Sequence, residues 1–364
     1  MTRGVYQEMW CCVEGDCFGP SGPCNDSSYH LKKASNRKPK GRYKVFIKDV
    51  DMDTHIYHDL TPNKILTQSD NQFLIIISKL LKKITPTSLS NVKILIKPNL
   101  LKANSPDCVT SAPLIIAVAS VLKQRGAVVT VGDSPAFGNA KQVLKSLGIL
   151  ESLKSLGIQV ASLSEPVSVR LRCGPTISIS KQALDADLIL NLPRLKAHCQ
   201  LGITGAVKNL YGTVPGFRKA LYHMIYGKDT SLFSNIIIDI SKKLPATVTL
   251  MDACLCMHQS GPTGGMPIWL GVMAASKSSH AIDTAFYTAI KAAPSKVPIW
   301  NEARKASVRA AFLENLVFPW LSPWDIKEAS SFVLPERLEP ITFNPLRFIK
   351  GRLKSLGRSI RFLR

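Results

Sequence analysis

Short apolar runs alternate with helix-length segments along most of this chain, beginning at Tyr43. Val45 to Val50 reads as a strand, and Asn71 to Lys83 as a helix with an apolar stripe. Val92 to Ile96 is a short buried strand that runs into Lys97-Pro98-Asn99. Ala112 to Lys123 is predicted as a helix with Pro113 in its first turn, where a missing N–H costs nothing. Ala127 to Val131 is the next strand, ending in Gly132-Asp133-Ser134-Pro135. Two short helical segments lead to a strand at Gln159 to Leu163. Leu188 to Leu192 reads as another buried strand, Leu232 to Lys242 as a helix and Ala246 to Met251 as a strand. The alternation predicts an α/β fold, a mostly parallel sheet with helices on both faces, together with extended basic termini.

Such sheets place ligand sites at the carboxyl ends of their strands. Lys97, Asn99, Asp133, Ser134, Lys196 and Asp252 all fall at or soon after those ends. Lys97 beside Asn99 suits a phosphate or carboxylate, and a simply solvated lysine would look the same. Asp133 can orient a hydroxyl or cap a turn, and Ser134 can meet an anion beside backbone N–H groups. Lys196, His198, Thr204, Lys208 and Asn209 form the densest polar group, within fourteen residues. In an extended segment Lys196 and His198 share a side, and a desolvated lysine beside an imidazole can move protons. His223 offers a second imidazole among apolar neighbours. Asp252 precedes a loop with Gly261, Gly264 and Gly265 that suits closure over a ligand or an ordinary turn.

Composition narrows the class. The chain has 364 residues, 45% hydrophobic and 20% charged, enough for one large or two moderate domains. No apolar run reaches the roughly 18 residues needed to cross a bilayer. No secretory signal pattern is evident, and nine cysteines suit a reducing compartment, so a cytoplasmic location is expected. The expected organisation is a Cys-containing basic tail at 1–42, an α/β domain at 43–300, an extension at 301–345 and a basic amphipathic helix at 346–364. In the last, Ile349, Leu353, Leu356, Ile360 and Leu363 make an apolar stripe beside seven cations and no acid. That helix suits an anionic membrane surface or an acidic partner, and equally suits packing on its own domain. The formal charge of +22 implies acidic partners: an anionic small molecule, a peripheral anionic membrane or nucleic acid. Cys254, Cys256 and His258 lie closer in sequence than zinc ligands usually do, and no metal site is assigned. Neither a Walker loop nor Gly-x-Gly-x-x-Gly follows a strand, and there is no Gly-x-Ser-x-Gly elbow.

The motifs Ile96-Lys97-Pro98-Asn99-Leu100, Val109-Thr110 and Val131-Gly132-Asp133-Ser134-Pro135 occur in order. Asp187 to His198, Val207 to Gly212, Asp252, Gly261 to Gly265 and Ala281-Ile282-Asp283 follow them. Over about 250 residues this order resembles the domain-of-unknown-function 362 family. The resemblance implies an α/β fold and adds Thr110 and Asp283 to the ligand-binding candidates. Many relatives carry ferredoxin-like cysteine runs; this chain has no such run in its C-terminal third, so that inference does not transfer and the cofactor stays open. The expectation is an enzyme that binds an anionic small molecule, with Lys196, His198, Asp133 and Asp252 as catalytic candidates and proton transfer or redox as the chemistry. The alternative is a non-catalytic basic binding protein.

Overall fold

The computed structural model describes residues 43–50, 65, 72–103, 108–135 and 138–339. The expectations for the cysteine-containing tail and for the basic helix at 346–364 lie outside them.

Among the described residues ten strands form one sheet, in the order β12-β1-β11-β10-β7-β2-β3-β4, with β8 beside β10 and β9 beside β8. They are β1 (Tyr43–Asp49), β2 (Lys93–Pro98), β3 (Val128–Asp133), β4 (Gln159–Ser162), β7 (Leu188–Leu192), β8 (Arg194–His198), β9 (Gly202–Thr204), β10 (Thr247–His258), β11 (Met266–Ser276) and β12 (Leu316–Val317). Six of the nine pairings in this sheet are parallel. The other three are antiparallel. A separate hairpin joins β5 (Pro166–Arg170) to β6 (Thr176–Ser180).

Successive side chains of a strand point to opposite faces, and here each face has its own core. Ile94, Ile96, Leu188, Leu190 and Leu192 point to one; Leu95 and Ile189 point to the other. The first is covered by α1 (Gln72–Ile84), α2 (Ala112–Gln124), α3 (Ala140–Ser146) and α4 (Leu150–Ser155). The second is covered by α6 (Ala206–Leu210), α8 (Thr230–Lys243), α9 (Ser279–Ala289) and α10 (Pro298–Lys305). Two short helices, α5 (Lys181–Leu184) and α7 (Arg218–Tyr226), complete the regular structure. Covered on both sides, β7 buries all five residues, which is why it is apolar almost throughout. Ala310, Ala311, Leu316, Ile326 and Phe332 join the second core, so residues 306–332 pack on it through short 3-10 turns and β12.

The mostly parallel α/β architecture follows the predicted one, and most of the elements that were predicted match within a few residues. The departures lie where polar residues interrupt strands. The strand expected to stop at Met251 continues to His258 and pairs antiparallel with β11. Asp252 looked like a strand end, but its carboxylate is paired inside the sheet. Strands β5, β6, β8, β9, β11 and β12 were not anticipated as such; β8 alternates Arg194, Lys196 and His198 with Leu195 and Ala197, although all five residues are buried. No described helix is long and apolar enough to cross a membrane.

One buried carboxylate ties the second core to the chain's functional stretch. Asp283 of α9 accepts the Ala206 N–H at 2.6 Å and the Val207 N–H at 2.9 Å, satisfying two donors at the start of α6. Gly205 leaves the space: a Cβ there would fall on Asp283 Oδ1. Burial outweighs these bonds and raises the Asp283 carboxyl from 3.8 to about 7. Its contribution to stability is therefore full below about pH 4 and lost as pH rises through about 7. Asp283→Asn should destabilise the fold, and its deficit relative to the parent should shrink between pH 5 and pH 8. Urea denaturation at both pH values measures this.

Candidate functional site

The carboxyl ends of β2, β3 and β7 meet α6 around a single buried ammonium group. Lys97, fully buried, donates to Asp133 Oδ1 at 2.8 Å, to the Pro98 carbonyl at 2.9 Å and to Asn209 Oδ1 at 3.4 Å. Asp133 also accepts the Leu100 N–H and the Ser134 N–H, at 2.8 and 2.9 Å. Asn209 donates to the Lys97 carbonyl and to Asn191 Oδ1, and Asn191 donates in turn to the Ala206 carbonyl. Every polar group thus finds a partner, as burial requires. Burial pulls the Lys97 amine down while Asp133 pushes it up, and burial is the larger effect. Gly212 closes over this pair: a Cβ there would lie 2.5 Å from Lys97 Nζ and 2.6 Å from Asp133 Oδ1.

Lys196 and His198 both belong to β8, two residues apart, so they do share a side. Lys196 Nζ donates to the Cys108 carbonyl at 2.7 Å and to Asn99 Oδ1 at 3.2 Å, both neutral acceptors. With no described carboxylate in contact, its amine is pulled down to about 8, first by burial. Lys208 lies in the first turn of α6 with its ammonium 4.4 Å from the centre of the Tyr211 ring, a cation–π contact. It makes no ion pair with a described carboxylate, and burial, aided by Lys219, Lys196 and Lys97, brings it down to about 7. His223, from α7, stands edge-on to Tyr211 at 5.5 Å and beside Phe233 at 4.5 Å. Burial and the Lys208 charge hold His198 and His223 well below 6.5, so both imidazoles are neutral at pH 7. His198 Nδ1 accepts the Gln200 N–H at 3.2 Å, which places the proton of the neutral ring on Nε2. Lys97, Lys196, Lys208, His198 and His223 are close enough for their charges to oppose one another. Asn99, Lys208 and His223 are only partly exposed, whereas Lys97, Lys196 and His198 are buried.

The remaining candidates hold this group in place. Thr110 accepts the Asn99 N–H and donates to the Leu192 carbonyl, joining the ends of β2 and β7. Thr204 donates to the Lys196 carbonyl across the β8–β9 pair. Ser134 accepts the Gly216 N–H at 2.8 Å. Asp252 is fully buried, accepts the Ser111 N–H at 3.1 Å and pairs with Arg194 at 3.4 Å, which leaves it inside the sheet rather than beside the amines. Asp283 holds the start of α6. Gly261 packs against the Ala197 carbonyl, too close for any Cβ, and its own carbonyl accepts the Cys199 N–H. The β10–β11 loop is thereby fixed to β8 at that point, while Gly264 supplies a φ of +80° at its tip and Gly265 lets the chain pass close to the Ser260 carbonyl.

Asn191, Gln200, Tyr211 and Lys219 belong to this site and were not singled out in the sequence. An asparagine inside the apolar run Leu188 to Leu192 was the one available signal, since a buried strand seldom carries an amide without a specific partner.

The fold and this group of amines define an α/β protein with a strongly basic, largely buried site at its strand ends. The domain of unknown function DUF362 matches residues 94–288, and the chain belongs to that family. A thylakoid-associated protein of Synechocystis is 33% identical over 265 residues, which cover 72% of this chain and 82% of that protein. Among solved structures, the lactate racemase apoprotein of Thermoanaerobacterium thermosaccharolyticum matches with a TM-score of 0.39 at 13% identity, over 57% of this chain and 54% of that one. A protein from Thermotoga maritima matches at 0.37 and 12%, over 61% and 56%. The chain thus spans little more than half the length of either.

Asp133→Ala should leave Lys97 buried without its counter-charge and lower stability by about 3–5 kcal/mol. The Lys97→Met/Asp133→Leu double variant should recover part of that loss. Gly212→Ala should cost about 1–3 kcal/mol by overpacking. Denaturant midpoints measure all three.

Proposed function

We propose that this protein is an enzyme that binds an anionic small molecule at the Lys196–His198–Lys208–His223 group and moves a proton on it. The observation that carries this reading is the pair of amines brought down to about 8 and about 7. An ordinary lysine is fully charged at neutral pH; these two are shared between charged and neutral forms. The charged form attracts an anion, and the neutral form accepts a proton. Lys208 is the anion-binding cation at the partly exposed rim. Lys196, deeper and held by Asn99 and the Cys108 carbonyl, is the proton acceptor, with His198 Nε2–H as a neutral donor. Lys97 and Asp133 position Asn209 and the start of the strand-end loops.

Sulfate tests the binding half, because its own charge is constant between pH 6 and pH 9. Its affinity should rise as pH falls through about 8 to about 7, since both amines gain their protons there. Lys208→Gln should weaken binding at pH 6 about tenfold or more. Isothermal titration measures both. The chemical half is tested in deuterated water with a mixture of small carboxylates and phosphates: one of them should gain deuterium at carbon in the presence of the protein and not with Lys196→Gln. Sulfate affinity that is flat with pH and unaltered in Lys208→Gln would reject the site.

A second reading is peripheral attachment to an anionic membrane, favoured by the thylakoid association of the Synechocystis relative and by the basic stretch at 346–364. Vesicles containing anionic lipid should sediment the full chain at low salt and should not sediment a chain ending at Asn344.

A further inference from the structure

Away from the strand-end amines, a cavity of about 700 Å3 opens where β1, the end of α1 and the start of α9 come together. Its lining includes Lys44, Lys82, Lys83 and Lys277, all exposed, and no acidic residue among the described ones. None of these four lysines makes an ion pair with a described carboxylate. One wall is aromatic: Phe46 and Trp320 meet edge to face at 5.2 Å, and Lys83 Nζ stands 6.0 Å from the centre of the Phe46 ring. Trp320 presents 37% of its surface to solvent. The floor includes Ser278, the N-cap of α9, so the positive end of an eleven-residue helix borders the same space. A volume of this size accommodates a small ligand.

Four cations that no described carboxylate pairs and a helix N-terminus call for a ligand with more than one negative charge, and the exposed indole beside them calls for a flat ring. We propose that this cavity is a second binding site, separate from the strand-end amines, and that it takes a nucleoside phosphate, with the phosphates on the lysines and the base against Trp320. The lysines hold charge without fixing a geometry, and aromatic stacking tolerates any base. The site therefore reads phosphate count and ring presence rather than base identity. Most of its lining, from β1, α1 and residues 319–320, lies outside the segment 94–288 that defines the family. It would serve this chain as an effector or cosubstrate site, independent of what the strand-end amines do.

Calorimetric titration of the full chain with ADP, adenosine and inorganic pyrophosphate at low salt tests this. ADP should bind saturably and more tightly than pyrophosphate, and adenosine should bind weakly or not at all. Lys83→Gln/Lys277→Gln should weaken ADP and pyrophosphate alike by about tenfold, as loss of charged hydrogen-bond donors does. Trp320→Leu should weaken ADP about fivefold or more and leave pyrophosphate unchanged. All the substituted positions are exposed, so thermal melts should match the parent, and the variants should keep the Lys208-dependent sulfate binding. Three outcomes overturn the proposal: no saturable ADP binding, ADP binding indifferent to both variants, or a response to vesicles of anionic lipid that depends on these residues when ADP gives none.

Discussion

A lysine ammonium sealed inside a protein must be neutralised, hydrogen-bonded or deprotonated, and Lys97 shows how that requirement organises this one. Its charge is matched by Asp133 from the neighbouring strand, and its remaining donors reach the Pro98 carbonyl and Asn209. Asn209 is held in turn by Asn191 on β7, so three adjacent strands and α6 are fixed relative to one another by polar contacts rather than by apolar packing. The backbone of Gly212 then passes over the pair at a distance that only glycine permits. Removing any one group exposes the others to an unsatisfied burial cost, which is how a small network of this kind comes to specify a geometry.

The same requirement is met differently a few residues away. Lys196 has neutral oxygen partners, and Lys208 has the face of Tyr211. Neither contact supplies a full counter-charge, and the mutual repulsion of Lys196, Lys208, Lys97 and Lys219 adds to the burial penalty. A paired lysine stabilises a fold; an under-compensated one costs stability and gains affinity for anything that brings a negative charge. The division between Lys97 and the other two therefore separates the part of the strand-end region that builds from the part available to a ligand.

Much of the fold was legible because burial on both faces leaves a plain apolar signature. Leu188 to Leu192 and Val92 to Ile96 could be read as strands, and the helix at Ala112 to Lys123 was visible from its apolar run and its proline. Arg194 to His198 could not be read this way, since its burial depends on partners supplied by Asp252, Asn99 and Cys108, from distant parts of the chain. The candidates Lys97, Asn99, Asp133 and Lys196 were picked out by their place at strand ends, and His198, Lys208 and Asn209 by their crowding within a short polar stretch. Their roles were not: nothing in the sequence separates Asp133, which neutralises Lys97, from an acid free to react. Asp252 and Asp283 likewise fall in polar motifs, and only the pairing with Arg194 and the capping of α6 reveal what they hold.

The central claim is that Lys196 and Lys208 share their protons with solvent near neutrality and give up that ambiguity to a bound anion. NMR of the full chain carrying 13C-labelled lysine, with the two signals assigned from Lys196→Arg and Lys208→Arg, follows each amine directly. The account predicts midpoints near 8 for Lys196 and near 7 for Lys208, with both moving upward when sulfate is added. Two amines that stay protonated to about pH 10, the usual lysine range, and that do not respond to sulfate would contradict it.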